Sequence, residues 1–190
     1  MPNPFICDIT FKGENYTTNK LPKGDYENCI FENCIFSNAD ISNCCFMECT
    51  FIDCDLSNAT IMHTTFKEIS FKKCKILGVR FEGCNEFLLS FSFEDSSLNL
   101  SSFYQLTLKN MVFKNCILHQ VDFTETNLTA ASFEECDLKN AIFERTNLVK
   151  SDFSSAFNYT IDPEQNQLKK AKFSKDGIIG LLSKYDIELI

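Results

Sequence analysis

The sequence predicts an all-β solenoid, and three observations carry that expectation. Every fifth residue from Leu21 through Tyr26, Phe31, Phe36 and Ile41 to Phe81 is Phe, Tyr, Leu or Ile, and after a slip of two the rule resumes from Phe93 to Phe153. These 26 positions show no exception and take 14 of the chain's 20 Phe residues, so they form a lattice and not a bias of composition. Two residues before each centre lies a second lattice of mostly small side chains, including Cys29, Cys34, Ala39, Cys44, Cys49 and Cys54, then Ser101, Cys116, Val121, Thr126 and Ala131. Finally, a period of five suits neither an α-helix at 3.6 nor a strand at 2.0. It suits a chain that turns a corner every five residues, with one large and one small side chain inward and three positions facing solvent. One such side cannot bury its apolar residues alone, so the turns must stack.

In chain order, residues 1–160 read as the repeat domain. The lead-in through Pro22-Lys23-Gly24 reads as an irregular first coil over about residues 1–28. The slip predicts a bulge within residues 82–92. It is either a tolerated corner insertion or a small projecting loop, with Glu86, Phe87, Leu88 and Leu89 as its candidate contacts, since loops on rigid scaffolds often carry function. After Ala156 the repeat gives way to a different pattern. Asp162-Pro163-Glu164 has the marks of a helix start: a side-chain acceptor, Pro in the first turn and acid near the positive end of the dipole. Ile178, Ile179, Leu181, Leu182 and Tyr185 then follow at helical spacing. Residues 161–190 are therefore expected to form a short C-terminal α-helical cap. They either plug the last coil or, with Ile187 and Leu189, form a dimer interface.

Eleven cysteines raise the alternatives of disulfides and zinc. Nine of them, Cys29, Cys34, Cys44, Cys49, Cys54, Cys74, Cys84, Cys116 and Cys136, fall on the small inward lattice, where a thiol serves as a compact apolar group. Their spacing is the repeat's own five and not the two to four of zinc knuckles. His63 and His119 lie off the lattice, so no metal or cofactor is expected. Cys45, at an outward position, and Cys7, in the lead-in, are the expected reactive thiols. Free buried thiols fit a reducing compartment. With a start that lacks the charged and apolar regions of a signal peptide, this makes the cytoplasm the expected location. No apolar run is long enough to span a bilayer.

Segments such as Ala39-Asp40-Ile41-Ser42-Asn43, Cys54-Asp55-Leu56-Ser57-Asn58 and Cys136-Asp137-Leu138-Lys139-Asn140 resemble the motif of the pentapeptide repeat proteins. The resemblance spans about residues 9 to 160 and implies a right-handed quadrilateral β-helix with four five-residue sides per coil. Residues twenty apart should then stack. With the slip taken as a two-residue bulge, one column reads Phe11, Phe31, Phe51, Phe71, Phe93, Phe113, Phe133 and Phe153. In the second register Phe and Leu alternate, which would place Phe on two opposite sides. About seven coils are expected.

Charge bears on function. The net charge is −8, yet residues 161–190 hold five acids and five bases, so the whole excess lies on the rod. Two stretches, 24–66 and 115–138, contain no Lys or Arg and supply the candidate partner surface: Asp40, Glu48, Asp53, Asp55, Asp122, Glu125, Glu134, Glu135 and Asp137. An acidic rod argues against direct nucleic-acid binding, which needs a basic stripe to release counterions. It permits occupation of a groove that another protein keeps for DNA. The resemblance to the quinolone-resistance (Qnr) members implies that role, as a DNA-mimicking modulator of DNA gyrase, together with an end-to-end homodimer through the C-terminus. The rival expectation is a repeat scaffold for another protein. No enzyme is expected, because both His residues stand at outward positions and no Gly-rich phosphate loop is present.

Overall fold

Each five-residue side ends in a corner, and the corner is left-handed. At most corners the residue two after the centre has φ between about 49° and 68°, as at Asn28, Asn33, Asn38, Glu48, Asp53, Glu125 and Lys150. Asn is the commonest occupant of these left-handed corners and, among the described residues, no β-branched side chain adopts one. Asn tolerates this region, whereas a branched Cβ would meet the following carbonyl. The computed structural model describes residues 3–87, 89–185 and 187–188, and in it four such sides close each coil as a quadrilateral β-helix.

The walls follow from the register. The first is a nine-stranded parallel sheet running from Thr10–Lys12 to Lys172–Phe173, in which Phe11 pairs with Phe31, Phe31 with Phe51 and Phe113 with Phe133. The second, centred on Phe36, Leu56 and Leu118, and the third, on Ile41, Phe103 and Phe123, are joined by single bridges such as Ile35–Asp55 and Asp40–Thr60. The fourth begins as a four-stranded sheet from Phe5–Cys7 to Thr65–Lys67 and continues past the bulge through Leu108, Leu128 and Leu148. Nine strands make eight coil steps, one more than expected. At about 4.8 Å per step the rod is about 38 Å long.

The interior is a pair of aromatic ladders. On the first wall Phe113 stacks on Phe93 at 5.5 Å and on Phe133 at 5.1 Å, with ring planes within 12°. Phe81, Phe103, Phe123 and Phe143 form the opposing ladder on the third wall and meet the first edge-on, as for Phe113 and Phe123 at 5.9 Å and 80°. Below the bulge the second ladder stands instead on the fourth wall, as Tyr26, Phe46 and Phe66. The small lattice does more than fill space. Cys29, Cys34, Cys49, Cys54 and Cys74 point their thiols at the carbonyl 23 residues back, at 3.3–3.6 Å. Thr64, Thr126, Thr146 and Ser151 donate to the same carbonyl position at 2.7–2.9 Å. A short donor at this place ties each coil to the one beneath it.

Three expectations are corrected. The first coil is regular from Phe5, because Phe5–Cys7 and Thr10–Lys12 pair in register with the next coil, and the irregular part is confined to Thr17–Gly24. The repeat also outlasts residue 160: Asp152–Phe153 pairs with Lys172–Phe173, and Phe173 stacks on Phe153 at 5.3 Å. Asn166 takes the small position of this last coil, its amide reaching the Phe143 carbonyl at 2.8 Å, a role invisible when only small residues are sought. Lastly, no α-helix is present among the described residues. Asp162–Glu164 forms a turn, with the Asp162 carboxylate accepting from the Glu164 amide, and the tail makes 3-10 turns at Gly177–Leu181 and Ser183–Tyr185. Gly177 and Gly180 press against Tyr159, where a Cβ would collide with its hydroxyl and its carbonyl respectively. The cap is thus pinned turn by turn and does not gather into a helix.

Candidate functional site

Successive five-residue sides face four directions, so the run of acids at 115–138 is dispersed by folding. Asp40 and Asp122 stand on the third wall, with Glu125 at its corner; Asp55 and Asp137 stand on the second; Glu134 is on the first, with Asp53 and Glu135 at its corner; Glu48 ends the fourth. No wall gathers all nine. The carboxylates just before a centre also serve the backbone: Asp40, Asp55, Asp122 and Asp137 accept the amide two residues on, at 2.8–3.2 Å. This explains the repeat's preference for Asp or Asn at that place.

Several carboxylates are matched by a cation, most often from the next coil. Lys12–Glu32, Lys75–Asp55, Lys114–Glu94, Arg145–Glu125 and Lys172–Asp152 all pair residues twenty apart, at 2.8–3.6 Å. Lys23 reaches Asp40 at 3.3 Å and His119 reaches Asp137 at 2.8 Å. The contacts lower the acids' proton affinity. Lys172 and Ser154 hold Asp152 at about 2, while the Ser42 hydrogen bonds, with help from Lys23, hold Asp40 below the usual range. Gln105 and Arg145 do the same for Glu125. For Asp137, burial pushes upward but is outweighed by hydrogen bonds from His119 and Asn158. All these pairs lie on the first three walls or at the tail. None is on the fourth.

The bulge holds two extra residues between Asn85, which still bridges Thr65 at a spacing of twenty, and Phe91, which pairs with Ile69 at twenty-two. Phe87 projects from it and is 73% exposed, its amide tied to Asn85 at 3.0 Å. Glu86 is also exposed, Leu89 packs partly against the core, and Leu88 lies outside the described residues. At the tail Ile178, Ile179, Tyr185 and Ile187 are exposed, whereas Leu181 and Leu182 are half-buried; Leu189 lies outside the described residues. A groove of about 650 Å³ runs between the tail and the last coil, lined by Phe157, Tyr159, Ile179 and Lys139. The nine lattice cysteines are buried, Cys7 is exposed and Cys45 half-buried, with burial and the Asp25 carboxylate pushing the Cys45 thiol up. Among the described residues no cluster of His, Cys, Asp and Glu is placed to hold a metal ion. Nor is any helix there long and apolar enough to cross a membrane.

A family model described as pentapeptide repeat region matches residues 25–86 and 77–153. The chain belongs to the pentapeptide repeat family. Among solved pentapeptide-type structures, trypsin-treated QnrB1, a plasmid-mediated fluoroquinolone resistance protein, is 18% identical over 98% of this chain and 100% of that one, with a TM-score of 0.64. HetL, a pentapeptide repeat protein involved in heterocyst differentiation regulation in the cyanobacterium Nostoc sp. strain PCC 7120, is 16% identical over 93% of this chain and 92% of that one, with a TM-score of 0.54. At these identities the likeness is one of fold. No curated protein sequence matches the chain.

Proposed function

We propose that this pentapeptide repeat protein is a non-enzymatic, cytoplasmic interaction protein whose partner is a type II topoisomerase such as DNA gyrase, approached as a mimic of duplex DNA. The observation that carries the reading is a narrow, stiff rod with a net charge of −8 borne by its repeat walls. Duplex DNA of the same length, about 38 Å, carries about 22 phosphate charges. The rod therefore reaches about a third of that density, enough to steer it into a basic groove but not to hold it there without specific contacts. The fold likeness to QnrB1 points the same way. The exposed Ile178, Ile179, Tyr185 and Ile187 support a homodimer formed through the tail, which would double the rod's length.

A second reading, a scaffold for a different protein, is favoured by the ion pairs that offset part of the acidic charge on three walls and by the likeness to HetL. A gyrase supercoiling assay with and without a quinolone separates the two. The topoisomerase reading expects inhibition or protection at micromolar protein, weakened by Asp122→Lys, Glu125→Lys, Glu134→Lys and Glu135→Lys together. No binding, inhibition or protection at tens of micromolar leaves only the scaffold.

A further inference from the structure

On three walls several charges pair across neighbouring coils, though, among the described residues, Asp53, Asp95, Asp122, Glu134, Glu135 and Glu144 do not; on the fourth the charges are segregated and unpaired. Below the bulge the fourth wall carries Asp25, Glu27, Glu48 and Glu68, with Lys67 the one base among its outward positions from Asp25 to Glu68. Above the bulge its outward positions carry Lys109, Lys150, Lys169 and Lys170, set among Asn127, Thr129, Asn147 and Gln167. No acid stands on that half. None of these nine charged side chains makes an ion pair with any described residue. Lys150 lies in register with Lys170, and Glu48 with Glu68, so one pair of like charges lies a coil apart on each half, the second pair with Lys67 beside it. Like charges opposite one another in a sheet are destabilising, so each half is left with an unmet demand for counter-charge.

The two halves are also equal in length. The fourth wall has centres Ile6, Tyr26, Phe46 and Phe66 before the bulge and Leu108, Leu128, Leu148 and Leu168 after it, four coils on each side. At the midpoint stands Phe87, the most exposed large apolar side chain among the described residues. A two-fold axis lying in the plane between two such walls, perpendicular to the rod and level with the bulge, would lay one copy antiparallel on another. The coil bearing Asp25 and Glu27 of each copy would then face the coil bearing Lys150 of the other, the coil bearing Lys67 and Glu68 would face the one bearing Lys109, and the two Phe87 rings would meet at the axis.

We infer that the fourth wall is a self-complementary interface on which a second copy of this chain docks side by side and antiparallel. The occupant is specified by the wall itself: a two-fold contact must be its own complement, and this wall alone, acidic on one half and basic on the other about a central apolar residue, meets that condition. The inference does not rest on the topoisomerase reading.

The full-length chain carrying Ile178→Glu and Ile179→Glu, which takes the tail out of any association, is the material for the test. Its mass by light scattering should be that of a dimer at about 10 mM salt and of a monomer at about 1 M, since the screening length contracts from about 30 Å to about 3 Å. Lys150→Glu, Lys169→Glu and Lys170→Glu together should abolish the dimer, as should Asp25→Lys, Glu27→Lys and Glu48→Lys together. Mixing the two variants, one wall now largely acidic and the other largely basic, should restore dimers that contain one of each. Circular dichroism confirms that both remain folded. A monomer at low salt, a salt-independent dimer, or folded variants that fail to pair when mixed overturns the inference. So does uptake of a duplex oligonucleotide by the lysine half with no dimer formed, since the wall would then serve another partner.

Discussion

Replacing Phe113 by Ala tests the core most directly. Its ring is fully buried, stacked face to face with Phe93 and Phe133 and met edge-on by Phe103 and Phe123 at 6.0 and 5.9 Å. Emptying a buried Phe site costs about 3–5 kcal/mol. The upper part of that range is expected here, because backbone bonds from Val112–Lys114 to the strands above and below hold the coils apart and keep the void from closing. For a chain of this length each kcal/mol is worth about 2–4 °C in Tm, so a fall of about 10 °C or more follows. The assay is urea unfolding followed by far-ultraviolet circular dichroism, with an unchanged m-value as the check that the transition still reports the whole rod. Lys114→Ala is the control: one residue on, exposed, and tied only to the Glu94 carboxylate at 2.9 Å, it should change the midpoint little. A Phe113→Ala loss below about 1 kcal/mol, or one equal to the control's, would refute the view that stacked rings hold the coils together.

Other outcomes follow from single positions. Leu100 stands 55% exposed at a left-handed corner with φ 61°, a conformation that costs an ordinary L-residue about 1–2 kcal/mol, so Leu100→Asn should stabilise the rod by about 1 kcal/mol in the same urea titration. Gly177→Ala should loosen the tail at a cost of about 1–3 kcal/mol, because its Cβ would strike the Tyr159 hydroxyl; the Tyr159→Phe background, which removes that hydroxyl, should restore part of the loss, read as thermal midpoints. Asp152 is held at about 2 against an ordinary 3.8 by Lys172 and Ser154. A depressed carboxylate stabilises the fold above its unfolded pKa and loses that contribution as pH falls through the folded one. The Tm should therefore drop between about pH 4 and pH 2, and Asp152→Asn should lower it at pH 7 while shrinking the acid-dependent fall.

Much of this molecule is legible in one dimension because its contacts are. A residue's neighbours lie five and twenty positions away, so spacing alone orders the Phe column, marks the bulge between Asn85 and Phe91 and puts the cysteines inside. The legibility fails where size stops standing for role. Asn166 fills a small position because its amide caps the Phe143 carbonyl, and a search for small residues passes over it and ends the repeat a coil early. The tail's apolar spacing suits a helix, yet Tyr159 and two glycines dictate 3-10 turns, since packing against an already formed end outweighs local propensity.

Charge shows the division most clearly. The sequence by itself determines that the rod is acidic and which stretches lack bases, because composition needs no coordinates. Only the coiling decides where each charge faces. It scatters the acids of residues 115–138 over the walls, pairs Glu125 with Arg145 and Asp152 with Lys172 across one coil, and leaves the fourth wall divided between unpaired acids and unpaired lysines. The physical reason is that charges act through distance in space, and four corners per coil place residues five apart on different walls and residues twenty apart in contact.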